Sequence, residues 1–122
     1  MKKILLADDE AAVRRLVTAT LADETRYQIL EAGDGVEALS MARAEHPALL
    51  LLDVNMPEMD GFEVCKALKS DPATRSIVVV MLTAMAQPAD RERGLSAGAD
   101  GFFTKPFSPL ALLEKVEEVL GD

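Results

Sequence analysis

The sequence is poor in cysteine, histidine and basic residues. Its single cysteine, Cys65, excludes an internal disulfide and fits a reducing, cytoplasmic setting. The single histidine, His46, stands before Pro47 and reads as an exposed loop residue. Lys and Arg total 13 against 21 Asp and Glu, a formal net charge of −8. Direct nucleic-acid binding wants a basic face, so that class is set aside. No apolar run approaches the roughly 20 residues that span a bilayer. The amino-terminal MKKILLADDE has a basic start, but its apolar stretch ends after Ala7 against acids, so it reads as a strand and not a signal peptide. Repeats, linkers and low-complexity segments are missing too.

What remains is 49% hydrophobic, which suits one folded domain over residues 1–122. Its organising stretch is LLLLDVNMPEMDG at 49–61. Four leucines running into Asp53 read as a strand buried on both faces, closed by a loop with Pro57 and Gly61. Other short apolar runs are KILLA at 3–7, YQILEA at 27–32, IVVVMLT at 77–83 and Gly101 to Thr104. Helical spacing separates them. Val13, Leu16, Val17 and Leu21 form one inner face, with Arg14 and Arg15 opposite. Val36, Leu39 and Ala42 form a second, after an Asp34/Glu37 capping box and before Pro47. Phe62, Cys65 and Leu68 form a third, after an Asp60/Glu63 box. The segment 88–97 has little apolar surface and reads as a weak helix. Ser108 and Pro109 open a last one, with Leu110, Leu113, Val116 and Leu120 inward.

Strands alternating with helices imply an α/β fold, a parallel sheet with helices on both faces. Five strands are compatible with the order 2-1-3-4-5 or a variant, and ligands to such sheets gather at the carboxyl ends of the strands. Asp8, Asp9, Asp53, Thr83 and Lys105 all fall there. Three crowded carboxylates repel, and a hard cation relieves them. Oxygen ligands without His or Cys suit Mg²⁺. Asp53 would then remain free to attack an electrophilic phosphorus. Lys105 and the Thr83 hydroxyl would bind the phosphoryl oxygens.

With LLADDE at 5–10, LLLLDVNMPEMDG at 49–61, LTA at 82–84 and GADGFFTKPF at 98–107, the chain resembles a response-regulator receiver domain over its whole length. The resemblance implies a flavodoxin-like, doubly wound (βα)5 fold with sheet order 2-1-3-4-5. It implies that Asp53 is the phosphoacceptor and that a sensor histidine kinase or a phosphotransfer protein is the donor. Asp8 and Asp9 match the acidic pair, with Mg²⁺ held by Asp9, Asp53 and the backbone carbonyl of Asn55. Thr83 and Lys105 match the family's hydroxyl and lysine, and the Lys105–Pro106 bond is expected to be cis. Phosphorylation would draw Thr83 inward and turn Phe102, switching the face made by segment 88–97, strand 101–104 and the last helix. Many relatives carry tyrosine where Phe102 stands, so an output through that hydroxyl is lost here and a steric switch is left. Asn55 and Met85 match positions that tune phosphoryl lifetime.

Three other readings compete. A receiver-like interaction module would work without phosphate. A haloacid-dehalogenase-type phosphatase carries a second Asp two residues after its nucleophile, where this chain has Asn55. Flavin binding is opposed by Asp8 and Asp9, which would repel the flavin phosphate. No segment reads as an output domain, and the kinase, the downstream target and phosphorylation-dependent dimerisation are not written in these residues.

Overall fold

A run such as LLLLD has no polar side chain to turn toward water, so it folds stably only when covered on both faces. The computed structural model of the chain describes residues 2–21, 27–56, 58–83, 88–105 and 108–120, and Leu49–Asp53 lies in its central strand. The elements run β1 (Lys2–Ala7), α1 (Ala11–Leu21), β2 (Tyr27–Ala32), α2 (Gly35–Glu45), β3 (Leu49–Asp53), α3 (Gly61–Ser70), β4 (Val78–Thr83), α4 (Pro88–Ala97), β5 (Gly101–Thr104) and α5 (Pro109–Leu120). All strand pairs are parallel, in the order β2-β1-β3-β4-β5. This is the expected doubly wound sheet.

Side chains alternate across each strand, so the sheet splits its apolar residues between two cores. Leu5, Ala7, Leu50, Leu52, Val79 and Met81 face α2 and α3, meeting Ala38, Ala42, Val64, Cys65 and Leu68. Ile4, Leu6, Leu49, Leu51, Val80 and Leu82 face α1 and α5, meeting Val17, Leu21, Leu112 and Val116. The four β3 leucines are fully buried. At about 1.5–3 kcal/mol for each buried leucine, they hold the strand that carries Asp53. The chain leaves β1 toward β2 on one side and passes through β3 on the other. The loops after β1 and β3 therefore diverge and open a crevice.

Two helical faces differ from the sequence pattern. Val36 is 56% exposed, and α2 instead buries Gly35, Ala38 and Ala42. The cause is close approach: a Cβ on Gly35 would stand 1.8 Å from the Met59 carbonyl oxygen. Backbone contact with the loop after β3 sets the rotation of α2, and the larger side chain turns outward. Leu110 is 66% exposed, because α5 turns Leu112 and Val116 onto the sheet, with Leu113, Val119 and Leu120 partly buried.

The caps are largely as read. Asp60 and Glu63 form a full capping box on α3. Asp34 accepts the Glu37 N–H, but Glu37 reaches back one residue further, to the N–H of Gly33 at 2.7 Å. Ser108 accepts the N–H of Ala111. Exposed His46 takes a left-handed conformation (φ 47°) and ends α2 before Pro47, donating its N–H to Ala42. Among the described residues no helix is long and apolar enough to cross a membrane.

Candidate functional site

The site grows from three strand ends. At the end of β1, Asp8 continues the ladder by donating its N–H to the Ala32 carbonyl at 3.1 Å, and its side chain is fully buried. Its Oδ1 accepts the N–H of Glu10 at 2.8 Å, turning the chain into α1. Asp9 and Glu10 face solvent. At the end of β3, Asp53 is buried, and its Oδ1 accepts the N–H of Asn55 at 3.3 Å. The turn beyond it closes tightly: Gly61 donates its N–H to Val54, and a Cβ on Gly61 would stand 2.3 Å from the Asp53 carbonyl oxygen. Glycine is required there because backbone meets backbone, with no left-handed turn involved.

Asp8, Asp9, Glu10 and Asp53 offer carboxylate oxygens that all lie within 4.8 Å of one another. Lys105 is drawn among them. Its backbone N–H bonds the Thr83 carbonyl at 2.8 Å, tying it to the end of β4. Its Nζ lies 2.8 Å from Asp8 Oδ2, 3.1 Å from Glu10 Oε1 and 3.5 Å from Asp53 Oδ1. Burial alone would lower the lysine's pKa, but its contacts with Asp8, Asp53 and Glu10 outweigh that and hold it above its ordinary value. Asp53 shows the opposite balance. Burial and the neighbouring Asp8 charge push its carboxyl up to about 7, against the lowering pull of Lys105 and the Asn55 N–H. One ammonium does not offset four carboxylates.

The structure therefore brings together Asp8, Asp9, Asp53 and Lys105, with buried Thr83 on the adjoining strand end. It adds Glu10, which the sequence showed only as the last residue of the LLADDE motif. Phe102 is half-buried on β5, facing the α2 and α3 side, while Phe103 faces the other. The tip of the Phe102 ring lies over Gly94 of α4, and the Arg91 guanidinium stands 5.6 Å from the ring centre. Pro57, Met85 and the Lys105–Pro106 bond lie outside the described residues.

A family model of the response regulator receiver domain matches residues 4–117. The chain belongs to this family. As a receiver domain it is a component of two-component signalling, and the family binds Mg²⁺ at an acidic cluster and interacts with histidine kinases and output domains. The chain is 46% identical over 117 residues to the response regulator PleD of Caulobacter vibrioides, covering 96% of this chain and 26% of PleD. It is 42% identical over 119 residues to a probable transcriptional regulator, ycf27, of Porphyridium aerugineum, covering 98% of this chain and 48% of that protein. The receiver thus spans about half or less of the curated relatives it matches. Among solved structures, the chemotaxis response regulator CheY4 of Vibrio cholerae superposes with a TM-score of 0.91 at 37% identity over 98% of each chain. The receiver domain of sensor histidine kinase PA1611 from Pseudomonas aeruginosa PAO1 superposes with a TM-score of 0.88 at 26% identity, covering 99% of this chain and 98% of that one. That structure has a magnesium ion coordinated in its active-site cleft.

Proposed function

We propose that this receiver takes a phosphoryl group onto Asp53 from a histidine kinase or phosphotransfer protein, with Mg²⁺ as the cofactor. The observation that carries the reading is the convergence of Asp8, Asp9, Glu10 and Asp53 within 4.8 Å, bridged by a single lysine. The donor set fits Mg²⁺ on chemical grounds: it is all oxygen, crowded and short of positive charge. Asp8 Oδ2 adds to the fit. It is sealed from solvent, and its contact with Lys105 is a charge pairing without an aligned hydrogen bond. Asp8, Asp9, Asp53 and the Asn55 carbonyl are the groups we assign to the ion. When bound, Mg²⁺ supplies countercharge to these carboxylates and to the oxygens of the incoming phosphoryl group.

Asp53 is the nucleophile. One of its carboxylate oxygens forms the new bond to phosphorus as the bond from phosphorus to the donor imidazole breaks, and the imidazole keeps the electron pair and takes a proton. Burial at the strand end strips water from the carboxylate and aims it into the crevice. Lys105 moves from pairing with Asp8 and Asp53 to the phosphoryl oxygens as they gain charge, and the Thr83 hydroxyl offers them a hydrogen bond. The acyl phosphate is later hydrolysed within the same site, with no turnover of a separate substrate.

Output is assigned to the face made by α4, β5 and α5. Thr83 and Phe102 are its switch, since they end and line neighbouring strands. A downstream protein or an attached output domain is the receiver of that change, and dimerisation on phosphorylation is one form it can take. The described elements build one sheet, which supports reading residues 1–122 as a single receiver unit. A reducing, cytoplasmic location suits the free, buried Cys65.

The deciding experiment is phosphorylation by acetyl phosphate with and without Mg²⁺, read by intact-mass spectrometry. A single phosphate adduct is expected only with Mg²⁺, and none in Asp53→Asn. An equal adduct in the variant would sink the assignment.

A further inference from the structure

Arg14 stands on the side of α1 that helical spacing assigns to solvent, yet its side chain is only 26% exposed. It folds back over the loop after β1. Its Nη1 donates to the backbone carbonyl of Asp8 at 2.5 Å, and its Nε lies 3.4 Å from Glu31 Oε1 on β2. The guanidinium passes beside Gly33, where an added Cβ would meet Nη1 at an ordinary contact distance of 3.8 Å. We propose that Arg14 is a positioning residue for the metal-binding acids: by clamping the Asp8 carbonyl it fixes the peptide joining Asp8 to Asp9, and with it the direction of both carboxylates.

The backbone around Asp8 is held at three points. Its N–H bonds Ala32 on β2, its Oδ1 accepts the Glu10 N–H, and its carbonyl takes Arg14. The last two are charge-assisted, and such bonds are the strong ones; only the third reaches the loop from a side chain of α1. It also resists a specific load. Four like charges crowd the crevice, and the β1–α1 loop carries three of them, so repulsion pushes that loop away from Asp53. Arg14 ties the loop to Glu31 from behind. The task calls for arginine, because one planar fork reaches two acceptors with different nitrogens, and a single ammonium does not.

A competing electrostatic effect has the opposite sign. A guanidinium near an acidic site repels Mg²⁺, so its loss would tighten binding if charge alone mattered. Pairing with Glu31 and partial contact with solvent weaken that repulsion. Positioning by outer contacts is commonly worth roughly 10- to 100-fold in metal affinity, which makes it the larger effect.

The inference rests on the Mg²⁺ reading of the acids, and the test separates the two. Mg²⁺ is titrated into the wild-type chain, Arg14→Lys, Arg14→Met and Glu31→Gln, by calorimetry and by the amide shifts of Asp8 and Asp9. Melting temperature is measured in EDTA alongside. Both Arg14 variants are expected to bind roughly 10- to 100-fold more weakly, with Glu31→Gln between them and wild type. Arg14→Lys should keep a wild-type melting temperature in EDTA. If Arg14→Met does not fold, Arg14→Lys and Glu31→Gln still decide the matter. Variants that bind as tightly as wild type, or more tightly, overturn the positioning role and leave the metal reading standing. A wild-type chain without any Mg²⁺ response overturns both.

Discussion

β3 with α3 and β5 with α4 are two strand–helix pairs of one sheet, built in opposite ways. All five residues of β3 are buried, while none of the four in β5 is fully so. α3 opens with a complete capping box and buries Gly61, Phe62, Val64, Cys65 and Leu68. Among the described residues of α4, only Gly94 and Ala97 are buried. The first pair spends apolar surface on holding a side chain still. The second has little to hold it, as expected of segments that shift in a conformational switch. The function proposed above calls for both, an aimed phosphoacceptor and an output face that moves.

The comparison breaks most visibly in the core. Leu51→Ala in β3 removes a fully buried side chain and should cost about 2–5 kcal/mol. Leu95→Ala, on the α4 surface where Leu95 is 63% exposed, should stay within about 0.5 kcal/mol. Urea unfolding of both variants measures the difference. Similar losses would mean that α4 carries a share of the core its burial does not show.

Asp53→Asn sharpens the contrast between aim and stability. A carboxyl whose pKa lies at about 7 in the fold, against an ordinary 3.8, is held in its protonated form more firmly than in the unfolded chain. Its contribution is therefore complete below about pH 3.8 and lost as pH rises toward 7, in the absence of metal. Charging such a group costs on the order of 4 kcal/mol as an upper bound, with Lys105 already counted, and relaxation of the site reduces it. In EDTA at pH 8 the Asn variant should be more stable than wild type by about 1–3 kcal/mol, and the gap should close as the pH is lowered to 4. Mg²⁺ should stabilise wild type more than the variant. A constant gap across that range would show that burial and the Asp8 charge do not raise the Asp53 pKa.

Much of this could be read from the residues in line. Asp8, Asp53, Thr83 and Lys105 each follow an apolar run, and in a parallel sheet all such ends share one edge. The positions of the strands and the α3 capping box depend on local patterns of a few residues, so they too were legible. What could not be read depends on close approach between distant segments. Val36 looks like a core residue until Gly35 is seen against the Met59 carbonyl. Leu110 fits a helical stripe that the sheet meets two positions further along, at Leu112. Arg14 looks solvated because helical spacing says nothing of a side chain folding back over a neighbouring loop. Glu10 is one acid beyond the pair, and its reach to Lys105 spans 95 positions of the sequence.

Gly94 tests the second pair most finely, because two effects of similar size oppose each other there. Glycine in a helix interior costs about 1 kcal/mol relative to alanine, so Gly94→Ala should firm up α4 if nothing else touched the site. But a Cβ there would stand 2.3 Å from Cζ and 2.6 Å from Cε1 of Phe102, closer than atoms can sit. Either the ring leaves or the helix lifts. If the ring is locked over the helix, the substitution should cost about 1–3 kcal/mol, as overpacking does. If the ring swings out readily, the helix gain survives and the substitution should stabilise by about 1 kcal/mol. Phe102→Ala removes the clash, so alanine at 94 on that background should stabilise by about 1 kcal/mol. The coupling from the double-mutant cycle then reports how firmly Phe102 is held. A coupling well below 1 kcal/mol, together with no nuclear Overhauser effect between the ring and residue 94 in Gly94→Ala, describes an aromatic free to turn. A larger coupling describes one that α4 must move to release, which would make the helix, and not the ring alone, the moving part of the switch.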